Sequence, residues 1–195
     1  MPLWGATDAD ESKPKWLTTA QKKEVFADTT GWVVEGGSTM TGNDNTSAAP
    51  EILAAIGGLT TKIGAADITG VEWITTAADK SAGFTLSVRV RWNEAVTVTG
   101  NPTLAVTNGN QGTGSGRGPH TLVYASGSGS NEPVFSLAIA AANAATNADD
   151  VLTVGAQTIA LAGGTVKDTA DGTTVSARAI SGAQGTACGS ITVVA

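Results

Sequence analysis

Any chemistry done by this chain of 195 residues would have to be done with few tools: one histidine, His120, and one cysteine, Cys188. A hydrolytic triad sets a histidine between an activated serine and a buried carboxylate. His120 follows Gly116-Arg117-Gly118-Pro119 at the junction of a loop and a strand pattern, and no G-x-S-x-G joins a strand pattern to a helix pattern. His120 therefore reads as a surface or loop residue, and no catalytic residue is expected. One Cys and one His do not make the usual four-ligand N/S zinc set. Calcium takes oxygen ligands alone and is the better metal candidate, with Asp149, Asp150, Asp168 and Asp171 as its carboxylates. Without a dense D-x-D-x-D loop, these aspartates read as turn residues bonding their own backbone, and no metal or cofactor is assigned. Gly112, Gly114, Gly116 and Gly118 suggest a phosphate cradle, but a cradle opens a helix and often ends in Lys-Ser or Lys-Thr. This string joins two strand patterns and contains no lysine. It reads as a loop, and the chain as a non-enzyme.

The composition points the same way. Hydrophobic residues make up 41%, charged residues only 14%, and there are 25 glycines, with a formal net charge of −6. Thr, Ser, Ala and Val are abundant and Leu is scarce, which suits a turn-rich all-β protein. The acidic balance argues against nucleic acid, which needs clustered Lys and Arg. Lys13, Lys15, Lys22 and Lys23 are the one local cluster, and Asp8, Asp10, Glu11 and Glu24 surround them. No apolar run reaches the roughly 18–20 residues that cross a bilayer as a helix, so no membrane partner is expected. The opening Met1-Pro2-Leu3-Trp4-Gly5 lacks the basic and apolar regions of a secretion signal. A lone cysteine leaves no internal disulfide.

The pattern changes near residue 70, predicting an N-terminal arm or anchoring region over 1–67 and a β-sandwich over 68–195. Within the arm, residues 21–27 read as one or two helical turns with a Thr cap, and 31–37 as a short strand bounded by glycines. Pro50-Glu51 opens a short helix or, equally, the apolar segment 52–59 packs on the sandwich or pairs as a strand. Trp4, Trp16 and Trp32 are the candidate partner-binding residues, because large aromatics in a polar arm gain most by burial on another surface. In the second region Phe84, Leu86, Val88, Val90 and Trp92 alternate with Thr85, Ser87, Arg89 and Arg91, the pattern of a long strand with one buried face. Trp73 and Trp92 are expected in or beside the core. Further strands are predicted at 68–74, 95–98, 103–106, 121–124, 134–140, 151–154, 158–161, 175–180 and 190–194, with exposed, mobile Gly/Ser-rich loops at 108–118 and 126–131.

Residues 88–172 resemble the bacterial immunoglobulin-like repeats of large surface adhesins. The likeness is carried by Trp92-Asn93-Glu94-Ala95-Val96, Val98-Thr99-Gly100-Asn101-Pro102-Thr103-Leu104, Tyr124-Ala125-Ser126-Gly127-Ser128-Gly129, Ala148-Asp149-Asp150-Val151-Leu152 and Gly163-Gly164-Thr165-Val166-Lys167-Asp168. The family continues with Ala-Gly-Asn where this chain has Thr169-Ala170-Asp171-Gly172. The resemblance implies an immunoglobulin-like sandwich. Met1-Pro2-Leu3-Trp4-Gly5 and Pro50-Glu51-Ile52-Leu53-Ala54-Ala55-Ile56-Gly57-Gly58-Leu59 are similar to stretches of virion structural proteins of tailed phages, notably those of marine cyanobacteria. That likeness implies a capsid decoration protein on the exterior of the virion. Its partners would be the major capsid protein and neighbouring copies of itself, with weak host-surface contact as a further role. The alternative is a receptor- or carbohydrate-binding adhesion module on a tail or fibre, working through the loops at 108–118 and 126–131.

Overall fold

The computed structural model describes residues 13–28, 31–55, 65–109, 119–141, 145–170 and 172–195. The chain is all-β, with little helix. Its first part is a small antiparallel sheet of β1 (Val25–Asp28), β2 (Gly31–Val34) and β3 (Glu51–Ala55), in that order.

Two helix expectations in this part need correction. Residues 21–27 split into a single 3-10 turn, Gln21–Glu24, followed directly by β1. Val25 and Phe26 stand opposite Val34 and Val33, and such cross-strand apolar pairs outweigh the weak gain of extending a short isolated helix. Thr18 does help to start the turn. Its Oγ1 accepts from Gln21 N–H at 3.2 Å, while its own N–H donates to Gln21 Oε1 at 3.0 Å, the reciprocal exchange of a capping box. Residues Glu51–Ala55 are a strand rather than a helix, with Glu51 opposite Val34 and Ile52 opposite Val33. Pairing satisfies the backbone of β2, whereas a one-turn helix would leave donors and acceptors open at both of its ends.

The larger part contains β4 (Ile68–Trp73), β5 (Ala78–Asp79), β6 (Phe84–Trp92), β7 (Val96–Thr99), β8 (Thr103–Gly109), β9 (His120–Ser126), β10 (Val134–Ile139), β11 (Val151–Thr153), β12 (Gln157–Thr158), β13 (Thr165–Asp168), β14 (Ala179–Ile180), α1 (Gly182–Cys188) and β15 (Ser190–Val194). Eight of these strands form one curled sheet in the order β4-β6-β10-β9-β8-β11-β15-β5. Its pairings are antiparallel except for β15 with β5. The pairs β7–β13 and β12–β14 complete the enclosure of a single core. Leu86, Val88, Val90 and Trp92 of β6 point into it beside Leu104, Leu122, Phe135, Leu152 and Val166. Trp92 is 1% exposed and donates its indole N–H to Ala177 O at 2.8 Å. Trp73 packs against the edge of the same core.

The helix α1 has a closing role. Ser181 and Gln184 form a capping box at its start, and Gln184 Nε2 also donates to Ile68 O at 2.6 Å. Trp73 Nε1 donates to Gly189 O at 3.3 Å. These bonds tie the first strand of the sheet to the turn that leads into β15. The helix can lie this close because residue 185 is glycine: a Cβ there would sit 2.3 Å from Val154 O.

Candidate functional site

The three tryptophans proposed as contact residues separate in the structure. Trp4 lies outside the described residues. Trp16 is 66% exposed on a loop with its own internal bonds: Leu17 N–H donates to Pro14 O at 3.2 Å, and buried Lys13 caps Lys22 O through Nζ at 2.7 Å. Trp32 is a core residue instead. It is 1% exposed and packs with Leu17, Val25 and Val34. All four residues of β2 are buried, because β2 is the middle strand of its sheet, so Trp32 offers no surface to a partner. Ile52 of β3 is 59% exposed and is the second large apolar side chain open to solvent in this part of the chain.

A charge cluster that the sequence pattern did not reveal joins the small sheet to the curled one. Arg91 belongs to the polar face of β6, yet it is 4% exposed. Its Nε donates to Glu72 Oε2 of β4 at 3.2 Å, and Nη2 approaches the same oxygen at 3.2 Å. Its Nη1 donates to Lys23 O at 3.2 Å and to Glu35 Oε2, and lies against Glu132 Oε1. Lys23 and Glu35 come from the N-terminal part, whereas Glu72 and Glu132 come from the body. Lys23 Nζ is 4.0 Å from Glu72 Oε1, and Arg89 Nη1 is 3.6 Å from Glu132 Oε2. Burial and the neighbouring Glu132 carboxylate push Glu35 up to about 8 against the pull of Arg91. The surrounding carboxylates hold the Arg91 guanidinium above its ordinary value despite its burial.

The groups considered for chemistry are built into the structure. His120 is buried rather than superficial, since its strand runs between β8 and β10. Its Nε2 is 3.0 Å from Thr146 Oγ1, and burial lowers its pKa against the opposing influence of Asp150. Burial pushes the Cys188 thiol up to about 11, away from the range of a reactive thiolate. Asp150 Oδ2 accepts from Asn147 N–H at 2.8 Å and Asp168 Oδ1 from Ala170 N–H at 2.7 Å, as turn aspartates do. Asp149 sits in the left-handed region with φ 66°, and Asp171 lies outside the described residues. Among the described residues no group of three or more His, Cys, Asp or Glu is arranged to hold a metal ion.

The loop at 126–131 is not free, contrary to expectation. Ser128 Oγ accepts from Val98 N–H at 2.9 Å and donates to Val98 O at 3.2 Å, and Ser130 bridges to Val96. Ser128 N–H donates to Tyr124 OH at 2.8 Å, and the Tyr124 ring meets Phe135 edge-on at 6.2 Å. The loop thus continues the pairing of β7. At 108–118, Asn108 and Gly109 belong to β8 and the rest lies outside the described residues. Two open hollows remain, of about 270 Å³ at Lys80, Ser81, Ala148 and Ala195, and about 500 Å³ between the end of β11 and α1. Lys80 is bonded to Asn147 Oδ1 at 2.9 Å, and no titratable side chain lines the second hollow.

Comparison with known proteins returns no matching family model, no matching curated protein and no matching solved structure.

Proposed function

We propose that this chain is a non-enzymatic structural protein of a virion, a capsid decoration protein. In this reading its N-terminal region docks on the major capsid protein and on neighbouring copies, while an immunoglobulin-like body faces outward. The observation that carries the reading is Trp16, two-thirds exposed on an internally bonded loop. A tryptophan left this open forgoes on the order of 3 kcal/mol of burial free energy, by area. An aromatic anchor held in place before binding recovers that energy at an interface at little entropic cost. Exposed Ile52 adds apolar surface to the same region, and Trp4 belongs to the same reading through its sequence setting. The immunoglobulin-like assignment of the body draws on the Phe84–Trp92 alternation and on the adhesin-like segments. The carbohydrate-binding alternative is less favoured, because Tyr124 and the 126–131 loop are occupied by internal bonds.

Co-sedimentation with capsids assembled from the cognate major capsid protein tests this. The expected result is stoichiometric binding, weakened at least tenfold by Trp16→Ala with the fold unchanged. A chain that does not bind capsids, or that binds equally well without the Trp16 side chain, overturns the reading.

A further inference from the structure

The polar contacts between the N-terminal sheet and the curled body run through one buried arginine. Two carboxylates, Glu35 from the N-terminal part and Glu132 from the body, meet the same Nη1 of Arg91. Glu72 takes the other side of the guanidinium. The remaining charges of the cluster, Lys23 and Arg89, are more open to water than Arg91 and compensate less. Buried charge at the centre therefore runs to two facing carboxylates on one nitrogen, and a shared proton relieves their repulsion. Glu24, next to this group on the N-terminal side, is bonded to Ser38 Oγ, and Glu24 O accepts from Glu35 N–H at 3.0 Å. Cys188 is the other titratable group close to Glu72 and Lys23.

We propose that this cluster is a pH-sensitive latch, which holds the N-terminal sheet on the outer face of the curled sheet when Glu35 is protonated and loosens as the medium turns alkaline. The sign follows from proton linkage. Glu35 is held above its ordinary value by burial and by Glu132, so closing the seam takes up a proton over the interval between the two values. Closure is therefore strongest at the acid end of that interval. It weakens by up to about tenfold per pH unit as pH rises, then levels off once Glu35 is ionised in the closed state as well. Arg91 stays charged throughout, so the grip on Glu72 remains while the grip across the seam declines. The latch is independent of the capsid reading, since it operates within the isolated chain.

Its test uses the full chain from pH 5.5 to 9.5. Small-angle scattering follows opening of the seam, and ¹³C NMR of labelled glutamate side chains follows the proton. Glu35 is expected to titrate well above an ordinary glutamate, with the chain expanding in step. Glu35→Gln, which keeps the shape and a donor toward Glu132, is expected to stay closed over the whole range. Arg91→Met is expected to open at every pH while β4–β15 keep their melting transition. A Glu35→Gln chain that retains the wild-type pH response overturns the proposal. So does a Glu35 that titrates as an ordinary glutamate. If Arg91→Met does not fold, the Glu35→Gln comparison decides alone.

Discussion

The small sheet and the curled sheet each bury a tryptophan almost completely, but by different means. Trp92 lies in a continuous core drawn from β4 through β15 and bonds to Ala177 O. Trp32 lies in a cluster of four buried residues, lined further by Met40, Leu53 and Ala54. A unit that small buries too little apolar area to offset its own chain entropy. It persists by being attached: Arg91 and Glu72 hold it to the outer face of β6 and β4. The body could spare its polar face for this purpose because its stability comes from the other face.

Replacing each tryptophan breaks or sharpens this contrast. Trp92→Ala is expected to lower the stability of the body by about 3–5 kcal/mol, read by denaturant unfolding. Trp32→Ala removes a side chain of the same size, but its effect is expected to stay local. Amide protection should vanish over β1–β3 while the main melting transition barely moves. If both substitutions shift one common transition, the two parts are a single cooperative unit and the contrast fails. Ser181→Ala is expected to cost about 1 kcal/mol, because the capping box and its relay through Gln184 to Ile68 O start at that hydroxyl. Smallest of all, Trp16→Ala is expected to leave stability within about 0.5 kcal/mol, since the side chain is largely in solvent. Its effect belongs to binding.

The strand β6 was legible to the residue, because strict alternation over nine positions has one solution when one face is buried. Most other body strands were also found, with ends moved by a few residues. The segments at 158–161 and 175–180 shrank to two-residue strands and isolated bridges. The helix α1 escaped notice although Ser181-Gly182-Ala183-Gln184 carries the Ser-x-x-Gln signature of a capping box. Two glycines in seven residues mask its periodicity, and packing against Val154 is what makes it stable. In the arm, the residues at 51–55 suit a strand or a helix alike, and only β2 beside them decides.

For the candidate sites the division is sharper. The sequence determined the chemical poverty of the chain, one histidine and one cysteine among many small β-forming residues, and hence where no triad or zinc site was to be sought. It also singled out the tryptophans, but not their fates. Trp16 and Trp32 look alike in sequence, and the tertiary structure sent one to solvent and the other to a core. Arg89 and Arg91 share the polar face of one strand, yet only Arg91 was covered and surrounded by Glu35, Glu72 and Glu132. Periodicity tells which way a side chain points from its own sheet. What another part of the chain lays over that face is fixed by long-range packing, which no local pattern encodes.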